Sequence, residues 1–327
     1  MTSESPASGA CESPEELIAT VPKALAGLRF DQALAQLFPR YSRTRLTRWV
    51  RAGRVTVETK ALSPKDRLQG GERVQLHPMP IEAPAWAPEP LPLTIVYQDN
   101  DLLIINKPQG LVVHPGAGNF QGTLVNGLLY HFPELAQIPR AGIVHRLDKD
   151  TTGLLVIARS LDAYQALVEQ LKRRTVSRDY LGLVIGTVTA GGVVNAPLGR
   201  HPVQRTRMAV VASGRSATTR YRVVERYFAY TLLHLSLDTG RTHQIRVHMT
   251  HLGHPLLGDP VYGRRPPLPR REDGELPRAL QGFARQALHA GHLELEHPLS
   301  RRQLRFEAPL PADLSRVIEL LRAHREP

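Results

Sequence analysis

The sequence predicts an α/β protein of the α+β type, built on a mixed, largely antiparallel sheet, with a small α/β domain at its N-terminus. Runs rich in β-branched residues come in neighbouring pairs separated by short polar turns, which favours antiparallel pairing over a βαβ array. Helical patterns are interspersed between these pairs. A proline-rich stretch at residues 78–93 separates the small domain from the rest of the chain.

These observations divide the chain into four segments. Residues 1–24 are rich in Ser, Glu, Pro and Ala and poor in large apolar residues, so we expect a disordered tail. Residues 25–77 form the small domain. The six prolines of residues 78–93 predict an extended, semi-rigid linker. Residues 94–327 form the main domain.

The overall charge favours a polyanionic partner. The 327 residues include 42 Lys and Arg against 30 Asp and Glu, a formal net charge of +12. Such a balance is typical of proteins that bind nucleic acid or an anionic membrane surface. No apolar run approaches the roughly 20 residues of a membrane span, and the acidic N-terminus lacks a signal pattern. Cys11, the lone cysteine, excludes a disulfide framework, so we expect a soluble, cytoplasmic protein.

The small domain is predicted to contain two helices and two short strands. A first helix, with Asp31 near its start, is indicated by apolar residues at helical spacing. These residues are Phe30, Leu34, Leu37 and Phe38. A second helix follows Ser42, an acceptable N-cap, and ends before Gly53. The strands are predicted at residues 55–57 and 73–76.

The second of these helices lies in a stretch with many basic residues and no acidic ones. Six arginines, which we call the arginine cluster, occur without an acidic residue between them: Arg40, Arg43, Arg45, Arg48, Arg51 and Arg54. A solvated helix face would explain them only if acids at neighbouring turns balanced the charge. Guanidinium groups this close repel one another unless phosphates or solvent ions neutralise them. The members predicted to contact a polyanion are Arg43, Arg45, Arg48 and Arg51.

The main domain begins with a predicted hairpin around the turn cluster Asp99-Asn100-Asp101. Thr123 and Ser160 are predicted N-caps of two helices, and a helix at residues 317–323 closes the chain. Further strands are predicted at residues 180–188, 219–224 and 231–237, and an exposed loop at residues 266–277. A glycine-rich loop at residues 114–119 misses the dinucleotide-binding spacing by one residue, so we predict no nucleotide cofactor.

The most informative stretch is residues 142–158. Two apolar arms, residues 142–147 and 153–158, flank a short polar segment, which predicts two buried strands joined by a turn. Asp148 follows the first arm directly, so we expect a strand to hold its carboxylate at the rim of the sheet.

Asp148 and Asp150 are also compatible with ordinary turn residues, because Asp bonds its own backbone in turns. His145 and Arg146 favour a functional site, since polar groups inside an apolar run are costly unless they face one.

Two further segments carry residues suited to the same cleft. Residues 177–180, Ser-Arg-Asp-Tyr, lie at the mouth of a predicted strand, and residues 240–248 lead from a glycine turn into a helix. Histidines offer an alternative, a zinc site that also uses the carboxylate of Asp259. Its ligands would come from His243, His248, His251 and His254. The His-Glu-x-x-His pattern is missing, so we predict no metal.

All three segments resemble motifs of the pseudouridine synthases, in the branch that modifies ribosomal RNA. The resemblance is strongest in His-Arg-Leu-Asp at residues 145–148, followed by a Thr-and-Gly turn. It extends through residues 105–108, 114–118, 241–248 and 255–263, and covers nearly all of residues 25–327. The small domain is similar to an RNA-binding domain first named in a small-subunit ribosomal protein, although Glu58-Thr59 replaces the usual Asn-Gly-type turn.

The resemblance implies an enzyme that isomerises uridines of large-subunit ribosomal RNA to pseudouridine without a metal or nucleotide cofactor. Asp148 is the implied catalytic carboxylate, Arg246 orients it, and Tyr180 stacks on the flipped uracil. Covalent attack by Asp148 and removal of a ribose proton both fit these residues.

The resemblance also implies substrate contacts around this centre. Arg146 is expected to fill the space that the flipped uridine leaves, with a structural ion pair to Asp150 as the alternative. Ile245 is expected to wall the base, and His145 and Lys107 complete the substrate-binding set.

The implied partners are large-subunit ribosomal RNA and the pre-ribosomal particle, bound by a monomer without membrane contact. The alternatives are a non-catalytic RNA-binding ribosome assembly factor and a metal-dependent hydrolase.

Overall fold

The structure is a computed structural model that describes five stretches of the chain: residues 16–41, 43–78, 86–116, 119–269 and 274–324. The chain divides into two compact units, Met1–Glu82 and Ala83–Pro327, which we call the first and the second unit. This division falls inside the stretch predicted as a linker. Most of the predicted tail, with Cys11, lies outside the described residues, as do Ser42 and the centre of the linker.

Two helices and three strands make up the described part of the first unit. In chain order they are β1 (Leu17–Thr20), α1 (Phe30–Leu37), α2 (Arg43–Arg51), β2 (Val55–Val57) and β3 (Arg73–Leu76). The strands form an antiparallel sheet in the order β1-β3-β2. Both predicted helices and both predicted strands are confirmed.

Strand β1 corrects the prediction that residues 1–24 are a disordered tail. Residues 17–20 pair along the whole length of β3, from Leu17 opposite Leu76 to Thr20 opposite Arg73. Four residues of alternating exposure are too short a pattern to stand out in the sequence, and the distant strand β3 supplies their pairing partners.

The core of the first unit explains why its helices form where they do. Phe30 and Leu34, one turn apart on α1, and Leu46 on α2 are fully buried, and Trp49 is nearly so. This spacing gives each helix one apolar stripe, and the two stripes pack together against the sheet.

A tight turn from Val57 to Lys60, at the end of β2, forms without an Asn-Gly-type sequence. Val57 and Lys60 exchange both backbone hydrogen bonds at 2.8 Å, so Glu58 and Thr59 are the two turn residues. Both adopt positive φ, 47° and 68°, as such turns require. Thr59 is β-branched and is therefore strained there. Glu58 offsets part of this cost, because its carboxylate accepts the Arg73 N–H at 2.6 Å.

Eleven strands and five helices make up the described part of the second unit. In chain order they are β4 (Ile95–Gln98), β5 (Leu102–Lys107), α3 (Leu124–His131), β6 (Thr152–Ala158), α4 (Leu161–Arg173), β7 (Ser177–Ile185), β8 (Gly192–Asn195), β9 (Leu198–Arg200), β10 (Met208–Val210), β11 (Thr218–Arg226), β12 (Tyr230–Leu237), α5 (Gln244–His251), α6 (Glu275–Gly282), β13 (Leu288–Glu296), β14 (Gln303–Glu307) and α7 (Ala312–Ala323). None of the helices in the described stretches is long and apolar enough to cross a membrane.

Nine of the strands described for this unit form one sheet. Their order is β4-β5-β6-β13-β7-β12-β11-β8, and β14 pairs with β13. Strand β13 runs parallel to β6, and the other neighbours are antiparallel. The predicted fold class, a mixed and largely antiparallel sheet with helices, is confirmed.

The middle of the sheet is covered on both faces. Leu103, Ile105, Leu155 and Ile157 pack with α3 and α5 on one face. Leu102, Ile104, Leu154 and Val156 pack with α4 on the other face. Because β6 is buried at every position, its sequence is an unbroken apolar run rather than an alternating one.

Local signals placed several elements correctly. The predicted hairpin is β4 and β5, and the caps at Thr123 and Ser160 precede α3 and α4. Asn126 accepts the Thr123 N–H at 3.0 Å, and Ser160 accepts the Ala163 N–H at 3.1 Å. Residues 275–277, predicted as part of an exposed loop, instead begin α6 and include buried positions, because α6 packs on α7.

The first apolar arm of residues 142–158 is not a strand, which corrects the prediction. Strand β6 pairs with β5 from Gly153 to Ala158, and with β13 at Thr152 and Gly153. Residues 142–147 form no ladder with it and contact it through an isolated bridge between Ile143 and Ile157. Gly142 allows this approach, because a Cβ there would collide with the Ala158 carbonyl. Asp148 therefore lies on a loop before β6 rather than at the end of a strand.

Candidate active site

The three segments singled out in the sequence meet at one cavity of about 850 Å³ in the second unit. Its described lining includes seven Arg and Lys side chains but two Asp side chains. The cations are Arg140, Arg146, Lys172, Arg174, Arg178, Arg241 and Arg246, and the acids are Asp148 and Asp238. A cavity of this charge attracts polyanions.

The Asp148 carboxylate faces this cavity and is 17% exposed. Its Oδ2 accepts a hydrogen bond from Nη1 of Arg246 at 3.1 Å. The loop that carries it is held by its own turn, in which Thr151 N–H donates to the Asp148 carbonyl at 3.1 Å. Downstream, the Arg285 guanidinium donates to the Asp150 carbonyl at 3.2 Å.

Arg246 is buried in the first turn of α5 and is held by a second carboxylate. Its Nε and Nη2 donate to Asp259 at 2.7 and 2.8 Å, a two-point contact that fixes the guanidinium plane. Asp259 also accepts the N–H groups of Val261 and Tyr262. Burial works to raise the pKa of Asp259, but the hydrogen bonds and charge of Arg246 outweigh it and keep that pKa below its ordinary value.

Tyr180 and Ile245 contribute apolar walls to the same cavity. Tyr180 lies on β7 and Ile245 on α5, and both are more than nine-tenths buried. Burial raises the pKa of Tyr180 to about 12, so its phenol is neutral at physiological pH. The cavity thus combines an ion pair with a buried aromatic ring.

Lys107 does not line the cavity, which corrects its assignment to the substrate-binding set. It is fully buried, and its ammonium donates to the carbonyls of Pro108, Leu111 and Lys149 at 2.7–3.0 Å. These three bonds use all the donors of an ammonium group. Because Lys149 follows Asp148, Lys107 positions the loop of the carboxylate instead of contacting substrate.

His145 and Arg146 both line the cavity but in different ways. His145 packs against β6, where its Nε2 accepts the Val156 N–H at 3.2 Å. Burial lowers the pKa of His145 to about 3, with a smaller contribution from Arg178, so the ring is neutral. Arg146 is exposed, and no hydrogen bond or ion pair joins it to Asp150 among the described residues.

His243 is a residue of the site whose place the sequence did not reveal. Its Nε2 lies 3.9 Å from Asp148 Oδ1, and its Nδ1 lies 2.8 Å from the Tyr262 hydroxyl. The same hydroxyl accepts the Met208 N–H at 2.8 Å, so Tyr262 connects His243 to strand β10. His243 adopts φ 56°, a strained conformation typical of functional sites.

The histidines considered as zinc ligands do not converge. His248 bonds Thr219 and the Ala196 carbonyl, and His254 contacts the Ile185 carbonyl. Among the described residues, the acids and histidines close enough to share an ion are Asp99, Asp101 and His297, outside the cavity lining. His297 accepts two backbone N–H groups through Nδ1, so its Nε2 donates to Asp99.

The arginine cluster lies on and around α2 of the first unit. Arg48 and Arg51 are exposed, and Arg45 is partly buried. Arg43 departs from the prediction, because it donates to the buried carboxylate of Asp31 at 2.8 Å and so ties α2 to α1. Burial, and then the charge of Arg48, lowers the pKa of Arg45.

Comparison with known proteins identifies both units. The sequence profile described as RNA pseudouridylate synthase matches residues 101–251, and the S4 domain profile matches residues 28–74. The chain is 52% identical over 312 residues to the ribosomal large subunit pseudouridine synthase D of Yersinia pestis, covering 95% of this chain and 96% of that protein. The chain belongs to the RNA pseudouridylate synthase family.

Other members of the RNA pseudouridylate synthase family agree with this assignment. The protein of the same name from Escherichia coli K12 is 50% identical, with 95% of this chain and 96% of that protein covered. The solved structure of human RNA pseudouridylate synthase domain containing 4 is 28% identical and superposes with a TM-score of 0.56. It covers 70% of this synthase and 93% of the human chain. The resemblance drawn from the motifs is confirmed.

Proposed function

We propose that this synthase isomerises specific uridines of large-subunit ribosomal RNA to pseudouridine, with Asp148 as the catalytic carboxylate. One observation supports this role above the others: Asp148 accepts a hydrogen bond from the buried Arg246 in a cavity shared with Tyr180. The names of the relatives, which specify the large ribosomal subunit, and the match to the S4 profile support the substrate.

The reaction sets clear demands on these residues. The bond between N1 of uracil and C1′ of ribose breaks, the uracil turns, and a bond forms between C5 and C1′. The proton on C5 is then lost and N1 gains one, so no electrons are exchanged with a cofactor. Asp148 serves either as a nucleophile that holds the fragment covalently or as the base that removes a ribose proton.

Arg246 prepares Asp148 for either role. Its two bonds to Asp259 leave Nη1 directed at Asp148, so one rigid guanidinium both orients the carboxylate and stabilises its negative charge. This arrangement exists before substrate arrives, and the reaction therefore requires no reorganisation of these groups.

Base flipping explains the apolar walls. Extruding a uridine costs a few kcal/mol, which stacking on Tyr180 and contact with Ile245 help to offset. Arg146 is exposed at the cavity and free to fill the vacated space in the RNA. His145 shapes the same wall as a neutral ring.

The first unit supplies further RNA contacts in this proposal. Arg45, Arg48 and Arg51 bind phosphates, whereas Arg43 contributes mainly by holding α2 in place. The proposed assembly is a monomer on the pre-ribosomal particle in the cytoplasm, where its substrate is found.

Pseudouridine mapping tests this function. Ribosomal RNA from cells that lack the gene is labelled chemically, and the lost sites are compared with those of cells complemented by the wild type or by Asp148→Ala. We expect specific sites in large-subunit RNA to disappear and only the wild type to restore them. An unchanged pseudouridine map combined with a ribosome assembly defect would favour the assembly factor instead.

A further inference from the structure

A second buried arginine, Arg178, lines the cavity from strand β7. Alternate residues of a strand face the same side, so Arg178 and Tyr180 point into the cavity about 7 Å apart along the strand. Asp179, between them, faces the other way, where it contacts Ser236 and His292. The neighbouring carboxylate is therefore not a partner for Arg178.

Arg178 has few partners for a group so deeply buried. Its residue is 8% exposed, yet the acceptor found for it among the described residues is the Leu237 carbonyl, 3.3 Å from Nη2. Its Nε is buried without any hydrogen-bond partner, and no carboxylate described in the structure forms a salt bridge with it. A guanidinium has five N–H donors, and burying it without a counter-charge is costly.

The surroundings of Arg178 add positive charge. Lys172, Arg174 and Arg241 line the same cavity. Asp238, the acid of that lining besides Asp148, is already paired with Arg220 at 3.1 and 3.2 Å. Gly240 packs directly on the guanidinium, since a Cβ there would lie 2.9 Å from Nη1. The backbone of residue 240 thus leaves room for this arginine and supplies no charge to balance it.

We propose that Arg178 binds a phosphodiester oxygen next to the flipped uridine, so that Tyr180 holds the base and Arg178 holds the backbone of one nucleotide. This assignment rests on the proposed function. A phosphate supplies both the missing negative charge and paired acceptors for the guanidinium fork, whereas the uracil carbonyls supply neutral acceptors alone. A single nucleotide is long enough to span the distance between the two side chains.

A coupling experiment tests the contact. RNA fragments containing a mapped target uridine are made with ordinary phosphates or with one neutral methylphosphonate beside that uridine, on its 5′ or 3′ side. Their affinities are measured for the full chain carrying Asp148→Ala, with and without Arg178→Gln. We expect Arg178→Gln to weaken binding of ordinary RNA about 10- to 100-fold. On one of the methylphosphonate RNAs the same substitution should have little effect.

Two controls keep the outcome clear. Arg241→Gln removes an exposed charge from the same lining and should weaken every RNA by a similar factor. Arg178→Lys keeps the charge, so its affinity for RNA should still fall when the neutral methylphosphonate replaces the contacted phosphate. This variant covers the case in which Arg178→Gln does not fold. Equal losses on all RNAs for Arg178→Gln, or no methylphosphonate effect with Arg178→Lys, would overturn the assignment.

Isomerisation of the ordinary RNA by the chain with Asp148 intact is measured in parallel. Absence of product would count against the proposed function itself. Normal product formation with additive binding effects would remove only the role of Arg178.

Discussion

Arg246 and Arg178 line one cavity and are buried to a similar extent, 5% and 8% exposed, but their surroundings differ. Arg246 lies between two carboxylates and donates three hydrogen bonds to them. Arg178 contacts one backbone carbonyl. A guanidinium already neutralised by the protein serves to position a catalytic group, whereas one without a counter-charge is suited to a charged ligand.

Replacing Asp148 by alanine tests whether Arg246 positions a catalytic group, and it should have the largest effect of these variants. Because Asp148 is the proposed catalytic carboxylate, we expect turnover to fall at least about a thousandfold while RNA affinity stays within a few-fold of wild type. Pseudouridine formation and RNA binding are measured on the same preparation. Asp238→Ala, at the other acid of the lining, should leave turnover largely intact, and equal loss of both activities in Asp148→Ala would contradict the assignment.

The same conservative substitution should affect the two arginines differently. Arg246→Lys should lower kcat about 100- to 1,000-fold with a small change in KM, because one ammonium cannot donate to Asp259 and Asp148 in the fork geometry. Arg178→Lys should change kcat little and raise KM instead, since Arg178 is proposed to bind the RNA backbone and lysine keeps the charge but loses the fork. Steady-state kinetics of both variants decide the matter, and near-normal turnover by Arg246→Lys would remove the difference between the sites.

Asp259→Asn tests the buried ion pair between Asp259 and Arg246. The asparagine side chain could not accept both N–H groups of the buried guanidinium, although Asp148 would still neutralise the charge of Arg246, so the free energy of unfolding should fall by about 1–3 kcal/mol. Asp313→Asn is the matched control, because Asp313 pairs with Arg285 but is 37% exposed, and its loss should be smaller. Denaturant unfolding gives both values. Similar losses at the two positions would mean that burial does not distinguish the pairs.

Lys107→Met separates positioning from substrate binding. Three buried carbonyls lose their donor, so we expect a loss of about 1–3 kcal/mol in unfolding free energy and a lower kcat through the loosened Asp148 loop. The KM for RNA should not change. A raised KM with unaltered stability would restore the earlier assignment of Lys107 to substrate binding.

The smallest expected effect concerns His145, which lies near Arg178. With its pKa lowered to about 3, folded His145 stays neutral between pH 6.5 and 3 while the unfolded chain takes up a proton. Stability should therefore fall as pH falls through this window, and less steeply in His145→Gln. Thermal unfolding at several pH values measures both slopes. Parallel curves for the two proteins would show that His145 does not contribute.

Local sequence signals predicted the elements that local contacts determine. The caps at Thr123 and Ser160 and the turn around Asp99 act within a few residues, and the structure confirms each of them. The arm before Asp148 was misassigned because an apolar run does not reveal that it meets β6 through an isolated bridge, Ile143 to Ile157, with Gly142 against the Ala158 carbonyl.

The candidate site shows the same division. Motif resemblance predicted that Asp148, Tyr180 and Arg246 share one site, because those residues recur as sequence patterns. All three line the cavity. Lys107 was misassigned because a lysine next to a glycine-rich loop does not reveal that carbonyls will use its ammonium. His243 was missed as a neighbour of Asp148 because its position depends on Tyr262 and Met208, from separate segments.

The pairing of β6 with β13 also governs when the enzyme matures. Thr152 hydrogen-bonds His289, 137 residues further along, and Arg285 reaches back 135 residues to the Asp150 carbonyl. During synthesis this interval takes on the order of ten seconds, in which β6 and β5 have emerged but β13 has not. The turn that carries Asp148 therefore gains its contact with Arg285 only when translation is nearly complete.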